Sequence, residues 1–499
     1  MRMIVLTLVM CACAGLPARG ADADAGAAVA AIAAAKEPPL VVTSFFYWYR
    51  YDTKEHFLNG DGSDALTDHP PDPAKISYAS ADWWYEQLLL VKKAGIDAIM
   101  PVYWGFPGDG ASWSKVGLAA LARAEERLAK EGKGPVPAGM FYDTSTLAWN
   151  ARNTRIDIST PEGEQFFIRT ILEFFALVPP QFRLLRDGRP VVFLYSAGFH
   201  KGDNPQLFER TREAFRGEFK TDIYLVKEVS WPYPADASYA WGGALGLKLH
   251  RVASLGPGYD HTAVPGRQPL IVPREDGEFY RRQWERLLAL APARRPAIVH
   301  VETWNEYHEG TDVGPSTEYG TAYIELTAKY ADLFRRGERL AIRGKWRDAG
   351  KVSWKPDADG GIRIPSLGDG LVDKTAIDGV ACLRTAPNQH GPARYFYCDL
   401  DDSFVYESAG ERFTVTMTIR VDRAAPVQVE YDGADPKGSI FEGAFTPGPA
   451  LGPLAAGAWH TVRFELADAR FANRANGGDF RLSAGGAAIA VAEIAVEKR

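Results

Sequence analysis

Short apolar runs alternate with stretches of helical period across the first two thirds of the chain. The strand-like runs are Leu40 to Tyr47, Ala98 to Tyr103, Pro137 to Tyr142, Pro190 to Tyr195, Ile223 to Val226, Tyr239 to Trp241, Val252 to Ser254 and Ala297 to Thr303. Between them a helix is predicted from about Ser80, with Trp84, Leu88 and Val91 on one face and Gly95 as C-cap. Others are predicted over Leu118 to Lys130, Glu164 to Leu177, Pro205 to Phe215 and Glu275 to Leu290. The helix between the sixth and seventh strands is missing or vestigial. A last helix is expected from the Pro315-Ser316 cap signal, burying Tyr323, Leu326, Tyr330 and Leu333. This alternation predicts an α/β fold, a (β/α)8 TIM-like barrel over residues 40–344. The rival, an open doubly wound sheet, calls for a glycine-rich phosphate turn after the first strand, and none stands there.

From Lys345 the pattern changes. Residues 345–369 carry Pro and Gly with little periodicity and are expected to form a linker or packing arm. Residues 370–499 then show short alternating strands punctuated by Gly, Pro, Asn and Asp, which predicts an all-β sandwich. Its strands are expected at Tyr395 to Cys398, Phe413 to Val421, Val427 to Tyr431, Trp459 to Leu466, Asp479 to Leu482 and Ala488 to Val496.

The N-terminus adds an address. Met1-Arg2-Met3 is a short basic start, Ile4 to Leu16 is apolar, and small residues follow, so residues 1–21 read as a signal peptide. Residues 22–39 form an Ala-rich leader ending in Glu37-Pro38-Pro39. Met10-Cys11-Ala12-Cys13 is a poor lipoprotein box, so a lipid anchor is not expected. No later run is long and apolar enough for a transmembrane segment. The protein is therefore expected to be exported, to the periplasm or outside the cell. Cys382 and Cys398 then either pair in an oxidising compartment or stay as two buried thiols.

At 499 residues, 46% hydrophobic and 24% charged, the chain has ordinary globular composition. A net charge of −6 leaves no basic footprint, so nucleic acid is not expected as a partner. The excess is aromatic, with 13 Trp, 21 Tyr and 25 Phe, residues that stack on sugar rings and also fill large cores.

In a barrel the chemistry stands at the carboxyl ends of strands. The first strand ends Tyr47-Trp48-Tyr49, the second Tyr103-Trp104, the third Tyr142-Asp143, and the seventh runs into Tyr259-Asp260 with Arg267 beyond. The eighth ends Glu302-Thr303-Trp304-Asn305-Glu306-Tyr307-His308-Glu309-Gly310-Thr311. Glu306 and Glu309 are the candidate catalytic pair, since two carboxylates among aromatics are what acid–base chemistry on a sugar needs. Positions three apart on an extended strand face opposite ways, so the chain must turn for both to enter one cleft, and Gly310 and the loss of strand character favour such a turn.

Trp304-Asn305-Glu306-Tyr307-His308-Glu309-Gly310-Thr311 resembles the signature of glycoside hydrolase family 99 and its bacterial relatives, commonly WNEWHEGT. Phe46-Tyr47-Trp48-Tyr49 is similar to their first-strand YYPWY, without the Pro, and Tyr103-Trp104-Gly105 and Pro257-Gly258-Tyr259-Asp260 have counterparts in the same order. The likeness covers roughly Leu40 to Phe334. Length and appended sandwich look closer to the uncharacterised domain-of-unknown-function 5010 branch. The resemblance implies a barrel that hydrolyses α-mannosidic linkages with retention and without a metal or other cofactor. It implies that Glu306 is the base deprotonating the sugar 2-hydroxyl, Glu309 the acid on the leaving oxygen, and Asn305 an orienting residue. The expected substrate contacts are Tyr47, Trp48, Tyr49, Trp104, Tyr142, Asp143, Tyr259, Asp260, Arg267, Trp304, Asn305 and His308, with a polysaccharide or oligosaccharide as partner. Gly314 stands where the relatives often carry Glu, so the sugar and linkage do not follow from the motif.

Other readings compete. His300, Glu302, Glu306, His308 and Glu309 include enough ligands for Zn²⁺, but their spacing is not the helix-borne HExxH. Asp61, Ser63 and Asp64 are candidate Ca²⁺ ligands in a loop too short for an EF-hand. A catalytically silent glycan-binding barrel is the alternative function, with a polysaccharide-modifying transferase as a third. The sandwich is a carbohydrate-binding module or a structural accessory, with Trp459, Tyr431, Tyr406 and Phe441 as stacking candidates.

Overall fold

The structure is a computed structural model that describes residues 37–105, 112–150, 152–267, 270–342, 344–366, 368–387, 395–408, 411–439 and 441–499. The expected signal peptide and most of the leader, with Cys11 and Cys13, lie outside the described residues. Pro39 to Arg499 forms one compact unit holding both the barrel and the sandwich.

Eight parallel strands stand among the described residues: β1 (Leu40–Phe45), β2 (Ala98–Tyr103), β3 (Met140–Tyr142), β4 (Arg189–Leu194), β5 (Tyr224–Glu228), β6 (Ala237–Tyr239), β7 (Val252–Leu255) and β8 (Ile298–Val301). Hydrogen bonding gives the order β6-β5-β4-β3-β2-β1-β8-β7. The two end strands lie side by side without a ladder, so the barrel is nearly closed. Their near-continuous apolar runs follow from burial on both faces. Around them pack α1 (Ala81–Lys93), α2 (Trp113–Lys130), α3 (Pro161–Leu177), α4 (Leu207–Phe219), α5 (Glu278–Ala289) and α6 (Ala322–Arg335). Ser80 caps α1 by accepting from the Trp83 amide, and Thr160 caps α3 ahead of Pro161.

Strict strand–helix alternation is not kept. No α-helix joins β5 to β6, and β6 reaches β7 through a short 3-10 turn, Gly243–Leu245. A Cβ on Gly243 would lie 2.5 Å from the Leu255 amide, so the backbone passes too close to β7 for a helix. The last helix begins at Ala322 rather than at Pro315-Ser316. Ser316 and Gly320 first close a turn by exchanging backbone hydrogen bonds, with Gly320 at φ 57.

The sandwich holds eleven strands among the described residues: β9 (Lys351–Trp354), β10 (Ile362–Arg363), β11 (Val372–Ile377), β12 (Val380–Thr385), β13 (Phe396–Leu400), β14 (Glu411–Val421), β15 (Ala425–Tyr431), β16 (Thr446–Leu454), β17 (His460–Ala469), β18 (Phe480–Ser483) and β19 (Ile489–Lys498). One sheet runs β11-β12-β19-β14-β17 with β9 on β19; the other runs β10-β13-β18-β15-β16. The span expected as a linker or packing arm, residues 345–369, is not a bare linker: it supplies β9 and β10 to the two sheets. Phe413, Val415, Met417, Val429, Phe464, Leu482 and Ile494 fill the space between them. Cys382 and Cys398 are both free and buried.

The sandwich rests on the amino end of the barrel. Glu407 bridges Arg294 and Arg470, Asp402 pairs with Arg286, and Glu442 accepts from Ser238 and meets His250 at 3.2 Å. The carboxyl end is left to the loops.

Candidate active site

β8 delivers the motif. Its last residues are buried, and the chain then turns through a 3-10 segment, Tyr307–Glu309, before Gly310 at φ 54. Thr303 Oγ1 accepts from the Glu306 amide at 2.9 Å, and Glu306 Oε1 accepts from the His308 amide at 3.1 Å. That turn lets the side chains at 306 and 309 leave the strand's alternation and serve one rim.

Glu306 is buried. Its Oε1 lies 2.7 Å from His308 Nδ1, while Oε2 is buried without a partner. His308 Nε2 lies 2.9 Å from the His56 carbonyl. A carbonyl can only accept, so Nε2 carries a proton. One further proton then lies between Nδ1 and Oε1, either on an imidazolium facing a carboxylate or on a carboxylic acid facing a neutral ring. Burial raises the Glu306 pKa, and the charge and hydrogen bond of His308 pull it back. Burial lowers the His308 pKa, but Glu306 outweighs it and leaves it raised. Tyr49 completes the clamp: its ring stacks on His308 at 5.4 Å and its hydroxyl accepts from the Tyr307 amide at 3.1 Å.

Glu309 is partly exposed and takes a hydrogen bond from Arg267 at 2.5 Å, with Arg267 lying 3.5 Å from the Tyr259 hydroxyl. The Tyr259 pKa is raised by burial and then by the charge of Glu309, with a smaller contribution from Glu306. Across the rim, Trp104 donates to Asp143 at 2.5 Å. Burial raises the Asp143 pKa, and the charge of Glu309 adds to it. Trp48 lies on His56 (4.6 Å, 5°) and meets Trp104 and His308 edge-on at 6.1 and 5.7 Å. Trp48, Trp104, Asp143, Tyr259, Arg267, Glu306, His308 and Glu309 thus share one neighbourhood.

Six expected substrate contacts are used elsewhere. Tyr47 faces outward, its ring against Trp84 and Trp113 and its hydroxyl donating to the Ser114 carbonyl. Tyr142 also faces outward, onto Phe167 of α3, while its neighbour Phe141 points inward to His300. Successive residues of a strand face opposite sides, so only alternate aromatics can reach the cleft. Trp304 is fully buried and donates to Gln87 of α1, and a Cβ at Gly314 would lie 2.7 Å from its carbonyl oxygen, which explains the glycine there. Asn305 spends its amide on both backbone groups of Phe46, at 2.8 and 2.6 Å, so it ties β8 to β1 instead of touching sugar. Tyr49 braces His308 from behind, and Asp260 caps its own loop through the Thr262 amide.

Beneath the rim lies a pair the motif reading placed only in a metal set. His300 is fully buried among Phe141, Phe193, Tyr239 and Trp241, with Nε2 2.6 Å from Ser44 Oγ and a pKa lowered by burial to about 3. Glu302 Oε2 accepts from the Gly242 and Gly243 amides at 2.9 and 2.7 Å. Its Oε1 and His300 Nδ1, both without hydrogen-bond partners, stand 3.6 Å apart. Burial raises the Glu302 pKa to about 8, against the pull of the two amides. These are the properties of a neutral acid beside a neutral imidazole. Among the described residues no three His, Cys, Asp or Glu converge as a metal cluster. Asp61 Oδ1 accepts from the Ser63 amide and hydroxyl, the geometry of a turn.

Residues overlooked in the sequence also belong here. His56 backs Trp48, Tyr195 packs on Trp241 at 5.3 Å, and Trp149 is 59% exposed while its ring lies tilted against Phe199 at 5.2 Å. Tyr195 and Trp241 stand at or just beyond strand ends, the signal that found the others; His56 and Trp149 lie in loops without one. The rim loops are locked by Arg274, buried against Asp68 (2.7 Å) and Asp312 (2.9 Å) and donating to the Gly310 carbonyl. In the sandwich, Tyr431 is buried, Tyr406 packs toward the barrel, Phe441 meets Phe445 at 5.5 Å, and the Trp459 indole nitrogen is buried.

The model of the family described as Domain of unknown function (DUF5010) matches residues 25–341. A Danio rerio protein described as glycoprotein endo-alpha-1,2-mannosidase-like is 33% identical over 100 residues, covering 17% of this chain. The chain spans only 22% of that relative's length. Among solved structures, the GH99 endo-alpha-mannosidase of Bacteroides thetaiotaomicron with Bis-Tris-propane is 17% identical, over 60% of this chain and 98% of that one, at TM-score 0.43. The CBM22-1 xylan-binding domain from Paenibacillus barcinonensis is 14% identical, over 30% of this chain and 92% of that one, at TM-score 0.20. With more than half its length matched by the family model, the chain belongs to the family described as Domain of unknown function (DUF5010).

Proposed function

We propose that this protein is an exported glycoside hydrolase that cleaves a polysaccharide or glycan with Glu306 and Glu309. The observation that carries the reading is Glu306: a buried carboxyl with one oxygen held by His308 and the other without a partner, on a rim with Glu309 and half-buried indoles. A buried carboxyl with a raised pKa and one uncommitted oxygen is poised to move a proton. The Danio rerio relative, described as endo-alpha-1,2-mannosidase-like, favours an α-mannoside as the bond to test first.

In this reading the sugar stacks on Trp48 and Trp104. Glu306 Oε2 accepts the proton of the sugar 2-hydroxyl, whose oxygen attacks the anomeric carbon as the glycosidic bond breaks. Glu309 leaves Arg267 and takes up a proton from solvent as the sugar binds, then as the acid passes that proton to the glycosidic oxygen of the departing group. Water then opens the intermediate with both protons returned, giving retention. Export rests on the basic, apolar and small-residue succession of residues 1–21.

The test is a screen of the purified protein against α-mannan, other plant and algal glycans and aryl glycosides, beside Glu306→Gln and Glu309→Gln. Turnover by the wild type and a loss of at least about 100-fold in each variant is expected. Equal activity in all three would sink the assignment. Binding of a glycan by the wild type without turnover of any would move the reading to a silent glycan-binding barrel.

A further inference from the structure

A cavity of about 320 Å³ lies at the other end of the barrel. It is bounded by residues at or just before the starts of β5, β6, β7 and β8, and Arg470 closes it from the sandwich. That places it at the amino ends of the strands, away from the rim that carries Glu306.

Its chemistry is one-sided. Arg186, Arg251, Arg294, Arg295 and Arg470 line it, with Asp236 as the acidic residue in the wall. Two nearby carboxylates are each divided between two guanidiniums, Asp236 between Arg189 and Arg212 and Glu407 between Arg294 and Arg470, while a third, Glu442, is held by Ser238 and His250. Arg295 is the most telling. It is 92% buried, since 8% of its surface is exposed, and its Nε and Nη2 donate to the carbonyls of Leu290, Leu288 and Glu338. Its Nη1 is buried with no hydrogen-bond partner. A charged donor without an acceptor costs far more buried than exposed, so an anionic partner at Nη1 would be strongly favoured. The Tyr224 ring adds a flat wall, and the volume is at the lower end of small-molecule sites, about 300–1,000 Å³.

We propose that this cavity is a second ligand site, which binds a small oxyanion between barrel and sandwich, either free or as the charged group of a sugar-sized molecule. Planar guanidiniums match the paired oxygens of phosphate, sulfate and carboxylate, and arginines from both domains converge here. The site is independent of the hydrolase reading: it needs no turnover and uses none of the rim residues.

The experiment is isothermal titration calorimetry of the full chain with inorganic phosphate, glucose 6-phosphate and glucose, at constant chloride. Saturable binding of at least one phosphate compound and none of glucose is expected. Glucose 6-phosphate binding at least about tenfold tighter than phosphate would identify a sugar-borne group as the ligand; equal affinities would identify the free oxyanion. Arg251→Gln removes an exposed guanidinium from the wall and is expected to weaken binding about tenfold, the loss of one charge-assisted hydrogen bond. Arg295→Lys, which keeps the charge but not the fork, is expected to weaken it as well. Glu306→Gln is expected to bind as the wild type does. No saturable binding of either phosphate compound would overturn the proposal. So would unchanged affinity in Arg251→Gln and Arg295→Lys, or loss of binding in Glu306→Gln, which would place the anion in the catalytic cleft.

Discussion

Glu302→Gln is expected to make the protein more stable, increasingly so as pH rises. In the folded chain the Glu302 carboxyl is buried and its pKa lies near 8, against 4.5 for an unstrained glutamate. A folded pKa above the unfolded one means the neutral acid favours folding. Its contribution is complete below about pH 4.5 and is lost as pH rises from there through about 8. At about 1.4 kcal/mol per tenfold change in ionisation, the whole loss is about 5 kcal/mol at alkaline pH. Glutamine stays neutral throughout. Its amide oxygen can keep the Gly242 and Gly243 donors, and its amino group can turn to the unpartnered His300 Nδ1, 3.6 Å from the present Oε1. The variant and wild type should therefore differ little at pH 4 to 5, and the gap should widen to about 2 to 5 kcal/mol by pH 8. Urea unfolding of both proteins at one-unit pH intervals measures this, and taking the difference removes every other titrating group. A gap that stays constant with pH, or a variant weaker than wild type at pH 8, would refute the argument.

Arg274→Met is expected to cost about 3 to 5 kcal/mol in the same assay, because Asp68 and Asp312 would be left as buried carboxylates without their shared cation. His308→Gln removes the charge and hydrogen bond that oppose burial at Glu306, so the Glu306 pKa should rise further; the acidic limb of kcat/KM should move to higher pH, and a limb that stays put would separate Glu306 from that limb. Trp48→Ala is expected to raise KM at least about fivefold with little change in Tm, whereas Trp304→Ala should cost about 3 to 5 kcal/mol of stability by urea unfolding. Matching losses of sugar binding in the two tryptophan variants would contradict the placement of Trp304 in the core.

The local patterns were legible because they depend on neighbours in the chain. Apolar runs of strand length located the barrel strands to within a few residues, and the motif after β8 located the two glutamates and pointed to the family whose model matches. The turn Asp378-Gly379 between β11 and β12 was equally local, with φ 51 and 77. The flanking pattern does not mark it, because most of both strands is exposed and shows little apolar alternation. Strand β16 hid behind Pro447, Pro449 and Pro453, which a strand tolerates at a sheet edge, where topology places it.

By itself, then, the sequence determined the strands and the residues standing at their ends. Tertiary structure decided where those residues point. Tyr47 and Tyr142 end strands as aromatics should, yet pleat phase turns them onto helices, while Asp143 and Trp48, one residue further, reach the rim. Asn305 and Trp304 sit inside the motif, but closing the barrel spends them on Phe46 and Gln87, residues more than 200 positions away. Side-chain period is a property of the local backbone. The partner a side chain finds is a property of what the fold brings across from the rest of the chain.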